Sequence, residues 1–155
     1  MMALLDVNVL FALHQPKHSD FETAQGWFTQ NASNGFATCP FTQAGLLRLL
    51  TRNPFGLDAY SMAEARAALG KTLSRAEHVF WPDRLDYLRT TEKLAQRMQG
   101  HRQITDAYLL GLAVQKRGKL ATLDRGILQL AGSDFAVHVE LIGSGKKVAS
   151  RYRTN

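Results

Sequence analysis

Three aspartates stand out by where they fall. Asp6 closes an apolar opening run, Asp124 directly follows the strand candidate 119–123, and Asp106 comes one residue after Thr105, a residue type suited to capping a helix. If the first two end parallel strands and the third begins a helix, all three reach the same edge of one sheet, where open α/β folds build their sites. Like charges about 4 Å apart repel by roughly 1 to 4 kcal/mol between water and protein-surface dielectrics. Such a cluster therefore needs protonation or cations. Oxygen donors without His or Cys select a hard ion, Mg2+ or Mn2+. That ion, completed by water and phosphate oxygens, suits phosphodiester hydrolysis. Each acid also has a structural role open to it: Asp6 as a strand-end turn residue, Asp124 as an Asx-turn starter before Gly126, and Asp106 as a partner of the helix dipole. Their joint placement is what points to chemistry.

Other reactive residue types are weaker candidates. His14 and His18 are four apart, but Pro16 between them argues against a shared helical face, so surface or capping roles outweigh zinc. Arg48 is a phosphate-gripping, carboxylate-bracing or purely structural residue. Tyr108, Trp81 and Phe80 are assigned to the core rather than to base stacking. Phe41, Leu46 and Leu50 form an apolar face for the core or a second copy, and the single Cys39 reads as a small buried hydrophobe.

The elements that must position the acids alternate. The run LLDVNVL reads as a strand, with helices from His18 to Gln30 and from Thr42 to Thr51 on either side of a short strand at 35–39. Ser61 and Glu64 form a capping box for a helix reaching Gly70. A strand at 78–81 precedes a helix from about Arg84 to Met98. The next helix is capped by Thr105 and ends in Lys116, Arg117 and Gly118. Strands at 120–123 and 137–142 close the domain. Alternation of this kind implies crossover connections and a three-layer α/β domain, with about five parallel strands flanked by helices.

The 155 residues are one domain's worth, with residues 1–142 as the folded unit and 143–155 as a basic tail. No apolar stretch approaches the roughly 20 residues of a membrane span, no signal peptide is visible, and one cysteine allows no internal disulfide. These features point to the cytoplasm and to no membrane partner. The net charge is +6, and no acid follows Glu140, whereas Lys146, Lys147, Arg151 and Arg153 do. A second basic group comprises Arg97, Arg102, Lys116, Arg117, Lys119 and Arg125. Basic excess agrees with a polyanionic partner and equally with a solubilising surface.

At these residues the sequence resembles the VapC branch of the PIN-domain family. The matching segments are LLDVNVLFAL at 4–13, FATCPFTQAGLLRLLT at 36–51, ITDAYLLGLAV at 104–114 and LATLDRGI at 120–127, in family order over Leu4 to Ile142. The resemblance implies a five-stranded parallel sheet and Mg2+- or Mn2+-dependent endoribonuclease activity used by toxins to arrest translation. It assigns the catalytic and metal-holding roles to Asp6, Asp106 and Asp124, with Asn8, Gln43 and Thr105 as support. It also implies RNA as substrate, a homodimer, and neutralisation by a small VapB-like antitoxin. Arg48, Arg102, Arg125, Lys146 and Lys147 are the candidates for holding RNA. Gln43 departs from the family's usual glutamate and supplies no charge. No further acid comes shortly after Asp124, which is followed by Arg125, Gly126 and Ile127. A dehalogenase-like phosphatase would need an aspartate at Asn8, and a receiver domain an early acidic pair; both patterns are missing. The reading from another class is a non-catalytic RNA-binding or regulatory module, favoured by Gln43 and the basic tail.

Overall fold

The computed structural model describes residues 1–52 and 54–143. The tail expected from 143 onward, with Lys146 and Lys147, lies outside the described residues apart from Gly143. The elements in chain order are β1 (Ala3–Leu5), α1 (Val7–His14), α2 (Phe21–Asn31), β2 (Phe36–Thr38), α3 (Pro40–Leu50), α4 (Met62–Leu73), β3 (His78–Phe80), α5 (Tyr87–Thr91), α6 (Ile104–Gln115), β4 (Lys119–Thr122), α7 (Gly126–Phe135) and β5 (Val139–Leu141). The five strands form one sheet in the order β3-β2-β1-β4-β5, and every pairing is parallel.

Alternation of side chains across this sheet separates two apolar layers. Leu4 and Leu120 face a layer with Leu94, Leu109, Leu110, Leu112, Ile127 and Leu130, which belong to α6, α7 and the 3-10 stretch Glu92–Arg97. Leu5, Phe36 and Ala121 face the opposite layer, with Val9, Leu10, Phe11, Leu46, Leu50 and Leu69 from α1, α3 and α4. The three-layer α/β architecture expected from alternation is what the chain adopts.

Beyond shifts of two or three residues at element ends, the structure departs from the sequence reading in four places. LLDVNVL is not one strand: β1 stops at Leu5 and α1 begins at Val7. Val9, Leu10, Phe11 and Ala12 are all buried, so the run carries no periodicity to separate helix from strand. Thr105 is not a cap. The 3-10 turn His101–Gln103 feeds straight into α6, with Gln103 at the N-cap position, and Thr105 is exposed in the first turn. The expected helix from Arg84 to Met98 is a short α5, capped by Asp86, followed by the 3-10 stretch. Helix α7 was not anticipated; Gly132, at φ +59°, kinks it and obscures its pattern. By contrast, the Ser61–Glu64 capping box forms as read.

Candidate functional site

Asp6 is the junction of β1 and α1. Its backbone N–H continues the sheet by donating to the Ala121 carbonyl at 2.9 Å. Its side chain then starts the helix, with Oδ1 accepting from Val7 N at 2.7 Å. Oδ2 accepts from Thr122 Oγ1 at 2.6 Å and from Asn8 Nδ2 at 3.1 Å. The carboxyl group is thus pinned from three sides in a buried position. Burial raises its pKa, opposed by these hydrogen bonds and reinforced by the charge of Asp124.

Thr122 is the residue the sequence reading missed. Its hydroxyl donates to Asp6 and accepts from Asp124 N at 3.0 Å and Asn8 Nδ2 at 3.2 Å. Asn8 spans the same gap, because Leu123 N donates to its Oδ1 at 3.1 Å. The two side chains weld the first turn of α1 to the end of β4. A signal existed: Thr122 precedes Asp124 by two residues, with its side chain on the face that Asp6 shares.

Asp124 follows β4 and is exposed. It makes the Asx turn anticipated from sequence, accepting from Gly126 N at 2.8 Å, and so leads into α7. Asp106 is half-buried in the first turn of α6. Its pKa rises to about 7, first through desolvation and then through the charges of Asp6 and Asp124. The fold therefore brings the three acids within electrostatic reach of one another at the carboxyl edge: Asp6 on the floor, Asp106 halfway and Asp124 at the lip. The ion pairs among the described residues involve Asp58, Asp20, Glu77, Asp134 and Glu140, so none of the three acids has a basic partner there.

Among the described residues, no group of three His, Cys, Asp or Glu side chains forms a ready cage for a metal. The donor set nevertheless fits a hard cation. Mg2+ uses one or two carboxylates and keeps several waters rather than a full protein cage, and uncompensated repulsion between carboxyls is what a cation relieves.

Gln43 points elsewhere. On α3 its Nε2 donates to Thr38 Oγ1 at 3.0 Å, and that hydroxyl is 2.8 Å from His78 Nε2. Thr105's hydroxyl bonds to none of the described residues, so an orienting role has no contact behind it. Arg48, Arg102 and Arg125 are all exposed, with Arg102 just ahead of α6 and Arg125 beside Asp124. Arg97 is paired with Asp134. His14 bonds to the Leu10 carbonyl and Thr72, and His18 packs edge-on against Phe11, so they form no metal pair. Tyr108, Trp81 and Cys39 are buried as expected, but Phe80 is exposed on the edge strand β3. A cavity of about 360 Å3, lined by His14, Gln25, Phe28, Thr72, Arg75 and Glu77 among others, contains none of the three acids.

With the parallel sheet and the acids at its carboxyl edge in place, comparison with known proteins is informative. The PIN domain family matches residues 3–133. The chain belongs to this family, and its relatives put it in the VapC branch. It is 42% identical over 137 residues to Ribonuclease VapC29 of Mycobacterium tuberculosis, covering 88% of this chain and 96% of that protein. It is 39% identical over 133 residues to Ribonuclease VapC39 of the same organism, covering 86% and 96%. Among solved structures, Mycobacterium tuberculosis VapC20, described as a Sarcin-Ricin loop cleaving toxin, shares the fold with a TM-score of 0.64 at 16% identity, over 90% of this chain and 98% of that one. FitAcB from Neisseria gonorrhoeae shares it with a TM-score of 0.56 at 17% identity, over 84% and 93%.

Proposed function

We propose that this protein is an Mg2+- or Mn2+-dependent endoribonuclease, the toxin of a toxin–antitoxin pair, acting in the cytoplasm to inhibit translation until an antitoxin covers its site. The observation that carries this reading is the trio Asp6, Asp106 and Asp124: mutually repelling carboxyls at one sheet edge without a basic partner among the described residues. The naming of its relatives as ribonucleases supports RNA as the substrate. When bound, the cation supplies positive charge that favours ionised water and offsets charge building on the scissile phosphate.

The chain's own residues do the positioning. Thr122 and Asn8 hold Asp6 in one rotamer, and the Asx turn presents Asp124. With its pKa raised to about 7, Asp106 is partly protonated near neutral pH while the cluster is uncompensated, and a cation held by the three acids would favour its ionised form. Arg102 and Arg125 flank this edge and suit phosphates on either side. A homodimer and a VapB-like antitoxin are the partners this reading carries with it.

The direct test is incubation of a mixed RNA pool with Mn2+, with and without EDTA. Metal-dependent fragments ending in 5′-phosphate support the nuclease. RNA retention without cutting would instead favour the binding module, to which the turned-away Gln43 lends weight. Losing a residue that merely buttresses a metal ligand costs about 10- to 100-fold. Asp6→Asn, Asp106→Asn and Asp124→Asn should each cost at least the upper end of that range in turnover, measured with RNA cleavage assays. Near wild-type rates in any two of them would refute the assignment.

A further inference from the structure

Asp106 and Asp124 hang on two elements that must keep a fixed spacing if one cation is to meet both. A side chain that the proposed chemistry leaves unused ties those elements together. Gln103 stands at the N-cap position of α6, yet its side chain does not cap the helix. Its Oε1 instead accepts from Gln99 N at 2.6 Å, and its Nε2 donates to Gln129 Oε1 at 3.0 Å. A backbone N–H can only donate, so the Gln103 amide has one orientation here, oxygen toward Gln99 and nitrogen toward Gln129. Gln129 must therefore present its oxygen. One residue thus joins the loop ahead of α6, the start of α6 and the first turn of α7. Gln103 precedes Asp106 by three residues, a spacing that puts both on one side of the same helical turn. Gln129 is five residues past Asp124, which its Asx turn holds to the start of α7 at Gly126. Ile104 is held separately, because Tyr87 of α5 donates to its carbonyl at 2.7 Å. Helix α7 has less to fix it. Gly132, at φ +59°, interrupts it and leaves 126–131 as a short segment whose buried residues are Ile127, Leu130 and Ala131. Apolar burial is non-directional and resists sliding poorly; a directed hydrogen bond sets the register.

We infer that Gln103 is a positioning residue: through Gln129 it sets the separation of Asp106 and Asp124, and so the strength with which the acid edge holds its cation. The inference rests on the metal-dependent reading of the three acids. Mg2+ demands near-ideal octahedral geometry with ligands at about 2.0–2.1 Å. Constellations of this kind hold their function only within about 0.5 Å of the productive arrangement, and a misplacement of about 1 Å costs about a hundredfold in rate. Neither glutamine is a ligand. Both act on the backbone that carries the ligands, Gln103 from the side of Asp106 and Gln129 from the side of Asp124.

The test is titration calorimetry of the full chain with Mn2+ alone, without RNA. Gln129→Met keeps an unbranched side chain of similar length but removes the oxygen. It should weaken Mn2+ binding about tenfold, the low end for a residue that orients a metal ligand. Gln129→Glu keeps an acceptor for Gln103 and should bind Mn2+ at least as tightly as wild type. Gln103→Met should lose at least as much as Gln129→Met, and the double variant no more than Gln103→Met, since the two side chains act through one contact. Loss of one exposed hydrogen bond should lower the Tm of Gln129→Met by a few degrees at most. In RNA assays excess Mn2+ should return its kcat close to wild type, with KM unchanged. Equal Mn2+ affinities in wild type and Gln129→Met overturn the inference, as does a loss that Gln129→Glu shares or one that adds up in the double variant. Crystal structures of metal-free wild type and Gln129→Met give a second measure: the Cα separation of Asp106 and Asp124 should differ by about 0.5 Å or more. If wild type binds no Mn2+, a shift in that separation leaves the tie standing while the metal-dependent reading falls; an unchanged separation removes the tie as well. Metal binding by wild type with no effect of Gln129→Met gives the reverse.

Discussion

Two residues test how far the acid cluster extends. Asp106 titrates near 7 when folded against an ordinary value of 3.8. Between about pH 4 and 7 the folded state therefore holds a proton that the unfolded state has lost, so stability without metal falls as pH rises through that window. His18 and His78, whose pKa values burial lowers, work in the opposite sense below about pH 6.5. The contribution of Asp106 is thus isolated by subtracting the denaturation free energies of Asp106→Asn from wild type across pH. The difference should shrink from pH 7.5 to pH 5 without metal and flatten with saturating Mg2+; a pH-independent difference would mean that Asp106 is ionised throughout. Gln43 is the second. It donates to Thr38, whose own proton is then free for a neutral His78 Nε2. A glutamate at 43 cannot donate to Thr38 but can accept from its hydroxyl, at the expense of the bond to His78. Because the side chain at 43 turns to Thr38 rather than to the acids, Gln43→Glu should leave Mg2+ affinity close to that of wild type. Calorimetric titration returning a roughly tenfold tighter affinity, about 1–2 kcal/mol, would show that this position does face the acids.

At the scale of elements, the site depends on how closely α6 can approach α5. A Cβ at Gly111 would stand 2.1 Å from the Thr90 carbonyl oxygen, a backbone atom that cannot swing aside. Gly111→Ala must push the two helices apart, an overpacking change costing about 1–3 kcal/mol or more. In a domain of this size that lowers Tm by about 2–4 °C per kcal/mol. Because α6 carries Asp106, cleavage should fall even at temperatures where the variant is fully folded, as circular dichroism and RNA assays together would show. Unchanged Tm would mean that α5 yields freely. The same scale shows why α1 escaped sequence reading. Its start is written in Asp6, whose side chain caps Val7, but an aspartate at the end of an apolar run equally ends a strand. The Ser61–Glu64 box, with both halves of its reciprocal bonding visible in sequence, left no such ambiguity.

For the whole molecule the relevant quantity is the charge presented around the acidic edge. Single-stranded nucleic acid releases counterions in proportion to the phosphates neutralised, with a log–log salt slope of about 0.7 per contact. Arg102 and Arg125 are exposed at this edge, whereas Arg97 is already paired. Replacing Arg102 and Arg125 together by Ala should therefore reduce the salt slope of RNA binding by about 1.4 while leaving the positions of cleavage unchanged. Replacing Arg97 should mainly cost stability. An unaltered slope in the double variant would put the phosphate contacts on another face, such as that of Arg48 on α3.

The sequence by itself determined the layer architecture, because alternating apolar runs and helical stretches of this length pack in few ways. It also determined which acids meet: a residue just past a parallel strand can lie only at the carboxyl edge, and Asp6 and Asp124 each follow one. Tertiary structure alone decided the rest. That Thr122 holds Asp6 depends on β1 and β4 being neighbours in the sheet although 116 residues separate the two side chains. That Gln43 bonds to Thr38 beside His78, and that the Tyr108 hydroxyl is orphaned, are matters of which side chains converge after packing. Local propensity carries strand ends and helix caps because their partners lie within a few residues. Hydrogen bonds and burial between distant segments are fixed only when the sheet order is, and no short window of sequence contains that order.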